Sequence, residues 1–311
     1  MSLGRVGKSQ SCPQHFLTLA LNRNYWTARA IRYFFMTCAA MSIIIVVLVF
    51  LFLGKESVPF IAKYGLSDLV GTLWQPVSFE DEQFGMLPLI TGSVLVTLLA
   101  TIFAVPFGVV SAIYIAEMAS PFEREVWKPV IEMLAGIPSV VLGFFGLVVV
   151  APLVKEWLHL DSGLNALTGS LLLALMAIPT IITISEDAIR NVPKSYKEAS
   201  YAVGASKLQT IWKVTVPAAL SGIVAAVMLG LGRVVGETMA VMMVTGNAAI
   251  ITFSPTQPVR TMTATIAAEM GEVPVGSDHY YALFVVGVVL LIMTFSLNMV
   301  AQWVLKKYRI G

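Results

Sequence analysis

Hydrophobic residues in this chain are concentrated in six long stretches that are separated by polar segments. A helix needs about 20 consecutive, mostly apolar residues to cross a bilayer, and each stretch has that length. Their approximate limits are Tyr33–Leu53, Leu89–Ala116, Ile131–Val154, Leu164–Ile184, Ala218–Thr245 and Tyr281–Leu305. Only helices and closed barrels satisfy their backbone polar groups in lipid. The pattern therefore predicts an all-α integral membrane protein with six transmembrane helices.

The composition agrees with this prediction. Of the 311 residues, 57% are hydrophobic and 12% are charged, whereas soluble domains carry about 25% charged residues. This excludes a disordered chain and argues against a soluble enzyme, because too few polar side chains are present to cover a globular surface. The net charge of +2 is too small to indicate nucleic-acid binding. Two cysteines, Cys12 and Cys38, and three scattered histidines, His15, His159 and His279, indicate neither a disulfide framework nor a metal site.

The basic residues predict the orientation in the membrane. If the N-terminus lies inside, 15 Lys and Arg residues lie on the cytoplasmic side and 4 on the other. This bias places both termini in the cytoplasm. We therefore divide the chain into a cytoplasmic tail (1–32), a first transmembrane helix with an outer loop (33–88), a five-helix core (89–305) and a cytoplasmic end (306–311). The first helix follows a polar tail and lacks a small-residue cleavage site, so we expect no cleavable signal peptide.

The longest cytoplasmic loop, residues 185–217, is predicted to contain two short helices. Pro193 suits the first turn of a helix, and Gly204 suits the position just past its end. Ser206 is a suitable cap for a second helix, which Pro217 would stop. Two such helices, apolar on one side and basic on the other, would form a knob that projects from the membrane. The alternative is an ordinary amphipathic loop in solvent.

The same loop resembles the EAA motif of binding-protein-dependent ABC importer permeases. That motif reads Glu-Ala-Ala, three residues, Gly, nine residues and Ile-x-Leu-Pro, and its spacing is kept throughout. The matching residues are Glu198, Ala199, Ser200, Gly204, Val214, Val216 and Pro217, with Ser in place of the second Ala and Val in place of Ile and Leu. The resemblance implies a type I ABC importer permease fold over residues 89–305. It also implies that this loop couples the chain to a cytoplasmic ATPase subunit.

Three further segments resemble the permeases of the high-affinity phosphate importer. They are GSVLVTLLATIFAVPFGVVSAIYIAEMAS, AGIPSVVLGFFGL and LGLGRVVGETMAVMMVTGN. The tail, the leading helix and the outer loop 54–87 look like its PstC-type subunit. The implied partners are a PstA-type second permease subunit, two ATPase subunits and an extracytoplasmic phosphate-binding protein. ATP and Mg²⁺ would be used by the ATPase subunits, so this chain would hold no cofactor and would not be an enzyme.

Two charged residues lie within the fifth predicted span. Arg233 is near its middle, and Glu237 follows four residues later, so both would share one helix face. A charge at the bilayer centre costs about 2.5–3.5 kcal/mol on insertion scales, and such a residue indicates a function. Arg suits phosphate, and Glu237 could accept the proton of hydrogen phosphate, which sulfate lacks at neutral pH. We predict that Arg233, Glu237 and Thr238 line the substrate pathway; the alternative is a structural ion pair.

The predicted function is import of inorganic phosphate by a multi-pass permease in the plasma (inner) membrane of a bacterium or archaeon. Two alternatives stay open: an ABC permease for sulfate or molybdate, and a secondary transporter driven by an ion gradient. A secondary transporter would need inverted repeats, and no internal repeat is evident. Gly232 and Gly236 form a GxxxG pattern, which is typical of close packing against a partner helix.

Overall fold

The computed structural model describes residues 14–65, 67–78 and 82–308, and within these ranges the side chains of residues 28–303 and of Lys306. The chain divides into two units, Met1–Lys55 and Glu56–Gly311. Of the predicted tail and C-terminal end, residues 1–13 and 309–311 lie outside the described residues. The remainder of the predicted tail is helical from Gln14 onward.

A single long helix makes up the described part of the first unit. This helix, α1, runs over Gln14–Tyr64, and its last turns belong to the second unit. Apolar side chains such as Phe34, Ile43 and Leu51 are more than 60% exposed. A helix that is apolar on all sides is suited to a lipid environment.

The second unit is built almost entirely of helices. The long ones are α2 (Leu87–Ile113), α6 (Ala166–Arg190), α9 (Val216–Gly236) and α12 (Asp278–Tyr308). The short ones are α3 (Pro121–Ala135), α4 (Ser139–Phe145), α5 (Ala151–Leu158), α7 (Lys194–Ala202), α8 (Lys207–Thr210), α10 (Met239–Val244) and α11 (Met262–Glu269). Single π-helical turns follow α2, α4 and α8, at Tyr114–Met118, Gly146–Val150 and Ile211–Thr215.

Six helical segments among the described residues are long and apolar enough to cross a membrane, in agreement with the hydropathy pattern. They are Ala28–Tyr64, Leu87–Met118, Ser139–Leu158, Ala166–Arg190, Lys207–Gly236 and Asp278–Trp303. The second to sixth segments belong to the second unit, where they run back and forth between two ends. We call the end with residues 119–120 and 191–206 the inner end, and the end with residues 67–78, 82–86, 159–165 and 245–277 the outer end.

The third span begins later than predicted. Its predicted first residues, from Ile131, belong instead to the separate amphipathic helix α3. Ser120 starts that helix with a capping box: its hydroxyl accepts from the Glu123 N–H, and its own N–H donates to the Glu123 carboxylate at 2.7 Å. That backbone hydrogen bond lowers the pKa of Glu123. Pro138 then precedes α4 rather than lying inside a helix, whereas Pro106 and Pro179 do lie inside α2 and α6.

The core of the second unit forms where α2, α6 and α9 cross. Ile181 of α6 is 1% exposed and fits between two glycines, Gly108 of α2 and Gly230 of α9. A Cβ atom added to either glycine would lie 2.7 Å from an Ile181 side-chain carbon. Glycine is therefore needed at both positions because it lets the helix backbones approach closely.

A small sheet and α11 close the outer end. β1 (Trp74–Gln75) pairs antiparallel with β2 (Gln83–Phe84), and the Trp74 and Phe84 side chains are buried. The Glu269 carboxylate accepts from Trp74 Nε1 at 3.2 Å, from Arg260 Nη1 at 2.5 Å, and lies 2.9 Å from His279 Nε2. α11 packs into the protein, because Met262 and Thr265 are fully buried.

Candidate functional site

The fifth span is interrupted at the residues for which a function was predicted. α9 ends at Gly236, and Glu237 has an extended backbone with φ −72° and ψ 132°. A new short helix, α10, begins at Met239. The continuous helix in which Arg233 and Glu237 would share one face therefore ends at Gly236, one residue before Glu237.

Arg233 lies in the last turn of α9 and is partly buried. Among the described residues its hydrogen-bond acceptor is the Ala135 carbonyl oxygen, 3.5 Å from Nη2. That distance is the limit for a hydrogen bond, and a guanidinium carries five N–H donors. Most of its donor capacity is therefore available to another acceptor.

Glu237 has a different partner. Its Oε1 accepts from the Ala240 N–H at 3.2 Å, so the carboxylate caps the first turn of α10. Its backbone carbonyl accepts from the Thr263 hydroxyl of α11 at 3.0 Å. Across the described part of the chain, no ion pair joins Glu237 to Arg233. The pair is not a structural salt bridge in this conformation.

Two helix interruptions lie side by side at this position. The break between α3 and α4 contributes the Ala135 carbonyl, and the break between α9 and α10 contributes Arg233, Glu237 and Thr238. α4 and α10 also pack closely, since a Cβ on Gly143 would lie 3.0 Å from the Ala240 Cα. Thr238 is partly buried, and its hydroxyl donates to the nearby Gly236 carbonyl at 3.3 Å. Broken helices expose backbone and side-chain polar groups at membrane depth only where they line a cavity or are buried in protein.

The predicted knob is present at the inner end. Pro193 immediately precedes α7, and Gly204 has φ +84°, the left-handed conformation that ends a helix. Ser206 caps α8 through a capping box with Gln209. The prediction that Pro217 stops the second helix is wrong. Pro217 lies in the first turn of α9, where its missing N–H has no cost. The knob therefore continues directly into a transmembrane helix.

The residues of the EAA-like motif divide into exposed and buried positions. Glu198, Ala199 and Gly204 are exposed, whereas Val216 and Pro217 are partly buried. Ser200 is buried, and its hydroxyl lies 2.9 Å from the hydroxyl of Thr210, which is also buried. Large side chains around the motif are exposed although they are apolar or aromatic: Tyr196, Tyr201, Val203, Leu208 and Trp212. An exposed apolar patch of this kind marks a surface that a partner covers.

The inner end also contains ionic contacts that were not predicted from the sequence. Glu186 of α6 is 2% exposed and binds Lys128 and Arg190, each at 3.0 Å. This hydrogen bond with Glu186 raises the pKa of Lys128, which lies on α3. Lys197 of α7 binds Glu117 in the π-turn after α2. The signal for α3 was visible, because Ser120-x-x-Glu123 is a capping-box pattern.

No group of three or more His, Cys, Asp or Glu side chains that could hold a metal ion occurs within the described residues. Arg233 offers N–H donors at a helix break, and the knob presents exposed apolar and aromatic side chains.

Comparison with known proteins finds one matching family and several relatives of similar sequence. Residues 104–310 match the family described as "Binding-protein-dependent transport system inner membrane component". The chain is 38% identical over 276 residues to the probable ABC transporter permease protein YqgH of Bacillus subtilis, covering 88% of this chain and 89% of that protein. It is 36% identical over 299 residues to the phosphate transport system permease protein PstC of Mesorhizobium japonicum, with the same two coverages of 88% and 89%.

Among solved structures, a bacterial alginate ABC transporter bound to a periplasmic protein contains a similar chain. The TM-score is 0.59 at 16% identity, and the similarity covers 87% of this chain and 93% of that one. It supports the fold predicted from the sequence, that of a type I ABC importer permease.

Proposed function

Because the chain belongs to the family of inner-membrane components of binding-protein-dependent transport systems, we propose that it forms part of the pathway by which an ABC importer moves inorganic phosphate. Family membership and the six apolar helices make it a multi-pass plasma-membrane permease subunit. Permease subunits of such importers are not themselves enzymes. The family implies three kinds of partner: ATPase subunits, a substrate-binding protein and a second permease subunit.

The observation that carries the choice of an oxyanion as substrate is the state of Arg233. Its guanidinium lies at a helix break, partly buried, with one acceptor at 3.5 Å. A guanidinium fork matches the geometry of phosphate oxygens and binds them bidentately. The similarity to PstC of Mesorhizobium japonicum supports the same substrate. On this proposal Arg233 exchanges the Ala135 carbonyl for an oxygen of the passing anion.

Glu237 would supply discrimination between anions. Hydrogen phosphate carries a proton that a carboxylate can accept in a hydrogen bond, whereas sulfate presents only acceptors at neutral pH and would be repelled. Thr238 adds a hydroxyl that can donate or accept next to the same break. The three residues would bind the anion only transiently, because a pathway site must also release it.

The finer assignment of partners is part of the proposal. We propose a PstC-type role for this chain, with a PstA-type second permease, two ATPase subunits and an extracytoplasmic phosphate-binding protein. The exposed surface of the knob, including Tyr196, Glu198 and Trp212, would face an ATPase subunit. ATP and Mg²⁺ would bind to the ATPase subunits, and this chain would hold no cofactor.

Replacing Arg233 tests the proposal. A hydrogen bond to a charged group contributes about 1.5–3 kcal/mol, so losing a bidentate contact in Arg233→Gln should lower phosphate uptake at least ~100-fold. Uptake is measured in proteoliposomes that contain the assembled complex and the binding protein. Co-purification of all subunits shows that the variant still assembles.

Two further variants sharpen the result. Lys155→Gln removes an exposed cation elsewhere in the chain and should leave uptake unchanged. Glu237→Gln keeps an oxygen that can accept from the Ala240 N–H but removes the charge, so it should admit sulfate as a competitor of phosphate. Normal phosphate uptake by assembled Arg233→Gln would contradict the proposed pathway.

An importer of sulfate or molybdate is the second candidate. It shares the guanidinium chemistry of Arg233 and differs at Glu237, where a carboxylate disfavours a fully deprotonated anion. Uptake of sulfate in place of phosphate by the unmodified complex would select this candidate.

A further inference from the structure

The ion pair between Lys197 and Glu117 connects two parts of the chain that are distant in sequence. Lys197 lies on α7 of the knob, and Glu117 lies in the π-turn that ends α2, 80 residues earlier. Their side chains are 21% and 10% exposed. A partly buried pair interacts more strongly than a fully exposed one, and removal of one partner leaves a partly buried charge without its counter-ion.

The π-turn is held from a second side by α3. The Arg124 guanidinium donates to the Ile115 carbonyl from Nε at 3.1 Å and from Nη2 at 2.8 Å, and to the Ala116 carbonyl at 2.9 Å. These carbonyls lie in the last turn of the helix, where C=O groups have no intrahelical N–H to accept from. Through Arg124 the end of α2 and the helix α3 are tied together, so a force on Glu117 acts on both.

The knob is internally stiff. The buried hydrogen bond between Ser200 and Thr210 joins α7 to α8, and the Ala205 N–H donates to the Ser200 carbonyl at 3.2 Å. On α7, Lys197 is turned towards the protein while the next residue, Glu198, is exposed. A partner that pushes the exposed side of α7 therefore displaces Lys197 as part of one body.

Apolar contacts also lie between the knob and α2. Ile115 of the π-turn belongs to the same buried cluster as Ile189 and Ile211. Apolar burial is non-directional and permits sliding. The ion pair, in contrast, holds Lys197 and Glu117 in one relative position.

We propose that Lys197 and Glu117 are positioning residues that transmit displacement of the knob to α2 and α3. This rests on the proposed function, in which an ATPase subunit contacts the knob. α3 ends at Ala135, whose carbonyl oxygen lies 3.5 Å from Arg233 Nη2. The Lys197–Glu117 contact is therefore connected through α3 to the proposed anion site. Without the pair, the ATPase cycle would move the knob but would move α2 less.

The experiment measures the number of anions transported per ATP hydrolysed by the complete complex in proteoliposomes with its binding protein. The variants are Lys197→Glu, Glu117→Lys and the double exchange of both. Because allosteric coupling commonly corresponds to about 5- to 150-fold effects, each single reversal should lower the ratio at least ~5-fold. The double exchange should restore at least about half of it, since the pair is re-formed with opposite polarity.

Two controls separate transmission from folding. Glu125→Lys reverses an exposed carboxylate on α3 and should leave the ratio unchanged. Lys197→Met combined with Glu117→Leu leaves no buried charge unpaired, which favours assembly. That apolar pair should hydrolyse ATP and still show the lowered ratio.

The outcomes are distinguishable from failure of the proposed function. A wild-type ratio in either single reversal or in the apolar pair overturns the proposal, as does a double exchange that stays as poor as the single reversals. If the unmodified complex transports sulfate rather than phosphate, the proposed function fails, and the same ratio measured with sulfate still tests transmission.

Discussion

At the residue scale, Ser200 shows how one departure from the EAA pattern is used. An alanine at this position could not bond to Thr210, whose hydroxyl is 1% exposed and needs a partner. Here the two hydroxyls satisfy each other across the two helices of the knob. Serine at position 200 thus replaces the apolar contact of an alanine with a hydrogen bond between α7 and α8.

Ser200→Ala should lower the stability of the assembled complex. The change leaves the Thr210 hydroxyl buried and unpaired, which costs about 1–3 kcal/mol. Thermal unfolding of the purified complex measures the loss, and Ser195→Ala on the exposed side of α7 is the matched control. Adding Thr210→Val to Ser200→Ala should recover part of the stability. A melting temperature for Ser200→Ala equal to that of Ser195→Ala would contradict this account.

Arg233 and Glu237 are conspicuous in the sequence because charges in an apolar span are rare, and a pathway role for them and for Thr238 stays a prediction. The sequence was not sufficient to place them. Whether Arg233 and Glu237 meet depends on the backbone where α9 ends: Glu237 leaves the helix with ψ 132°, and its carboxylate caps α10. The partners they have instead, Ala135 and Ala240, are backbone groups, and any residue type supplies those.

At the scale of elements, the six spans could be predicted because lipid requires long apolar segments. The boundaries of the third and fifth spans could not be predicted from hydropathy. Ile131 is apolar and continues the next span in a hydropathy profile, although Gly136 and Pro138 separate them. The knob was predictable in outline because Pro193, Gly204 and Ser206 act through local backbone chemistry. The ion pair between Lys197 of the knob and Glu117 at the end of α2 could not be predicted, since it joins residues 80 positions apart.

Gly230→Ala should destabilise the packing of α9 on α6. The added methyl group would lie 2.7 Å from Ile181 Cγ1, which is deeply buried and has no free direction in which to move. Overpacking of this kind costs about 1–3 kcal/mol. Fluorescence-detected thermal aggregation in detergent measures the effect.

Gly232→Ala is the matched control for this prediction. Within the described chain nothing lies within 4 Å of a Cβ at Gly232, so the isolated subunit should tolerate it. Equal stability of the two variants would show that α9 does not pack on α6 as described.

At the scale of the whole molecule, the two ends differ in charge. The inner end gathers basic side chains from separate segments, among them Arg124, Lys128, Arg190, Lys194 and Lys207. The positive-inside rule therefore predicts that the knob faces the cytoplasm. Cytoplasmic termini stay a prediction of the same rule.

Cysteine accessibility tests this orientation. In a background with Cys12→Ser and Cys38→Ser, and without the ATPase subunits that are proposed to cover the knob, Glu198→Cys should react with a membrane-impermeant maleimide only after the cytoplasmic face is opened. Glu272→Cys, at the other end, should react in intact cells, since both positions are exposed. Labelling of Glu198→Cys in intact cells would reverse the orientation.

The contacts at the outer end also bear on the order of biosynthesis. Lys63 and Tyr64 bind Asp278, 215 and 214 residues later, and Trp74 binds Glu269, 195 residues later. The ribosome makes the early segment long before these acidic residues exist. The outer end can therefore close only once α12 has been inserted. A nascent chain arrested before α12 would lack Asp278, the residue that binds both Lys63 and Tyr64.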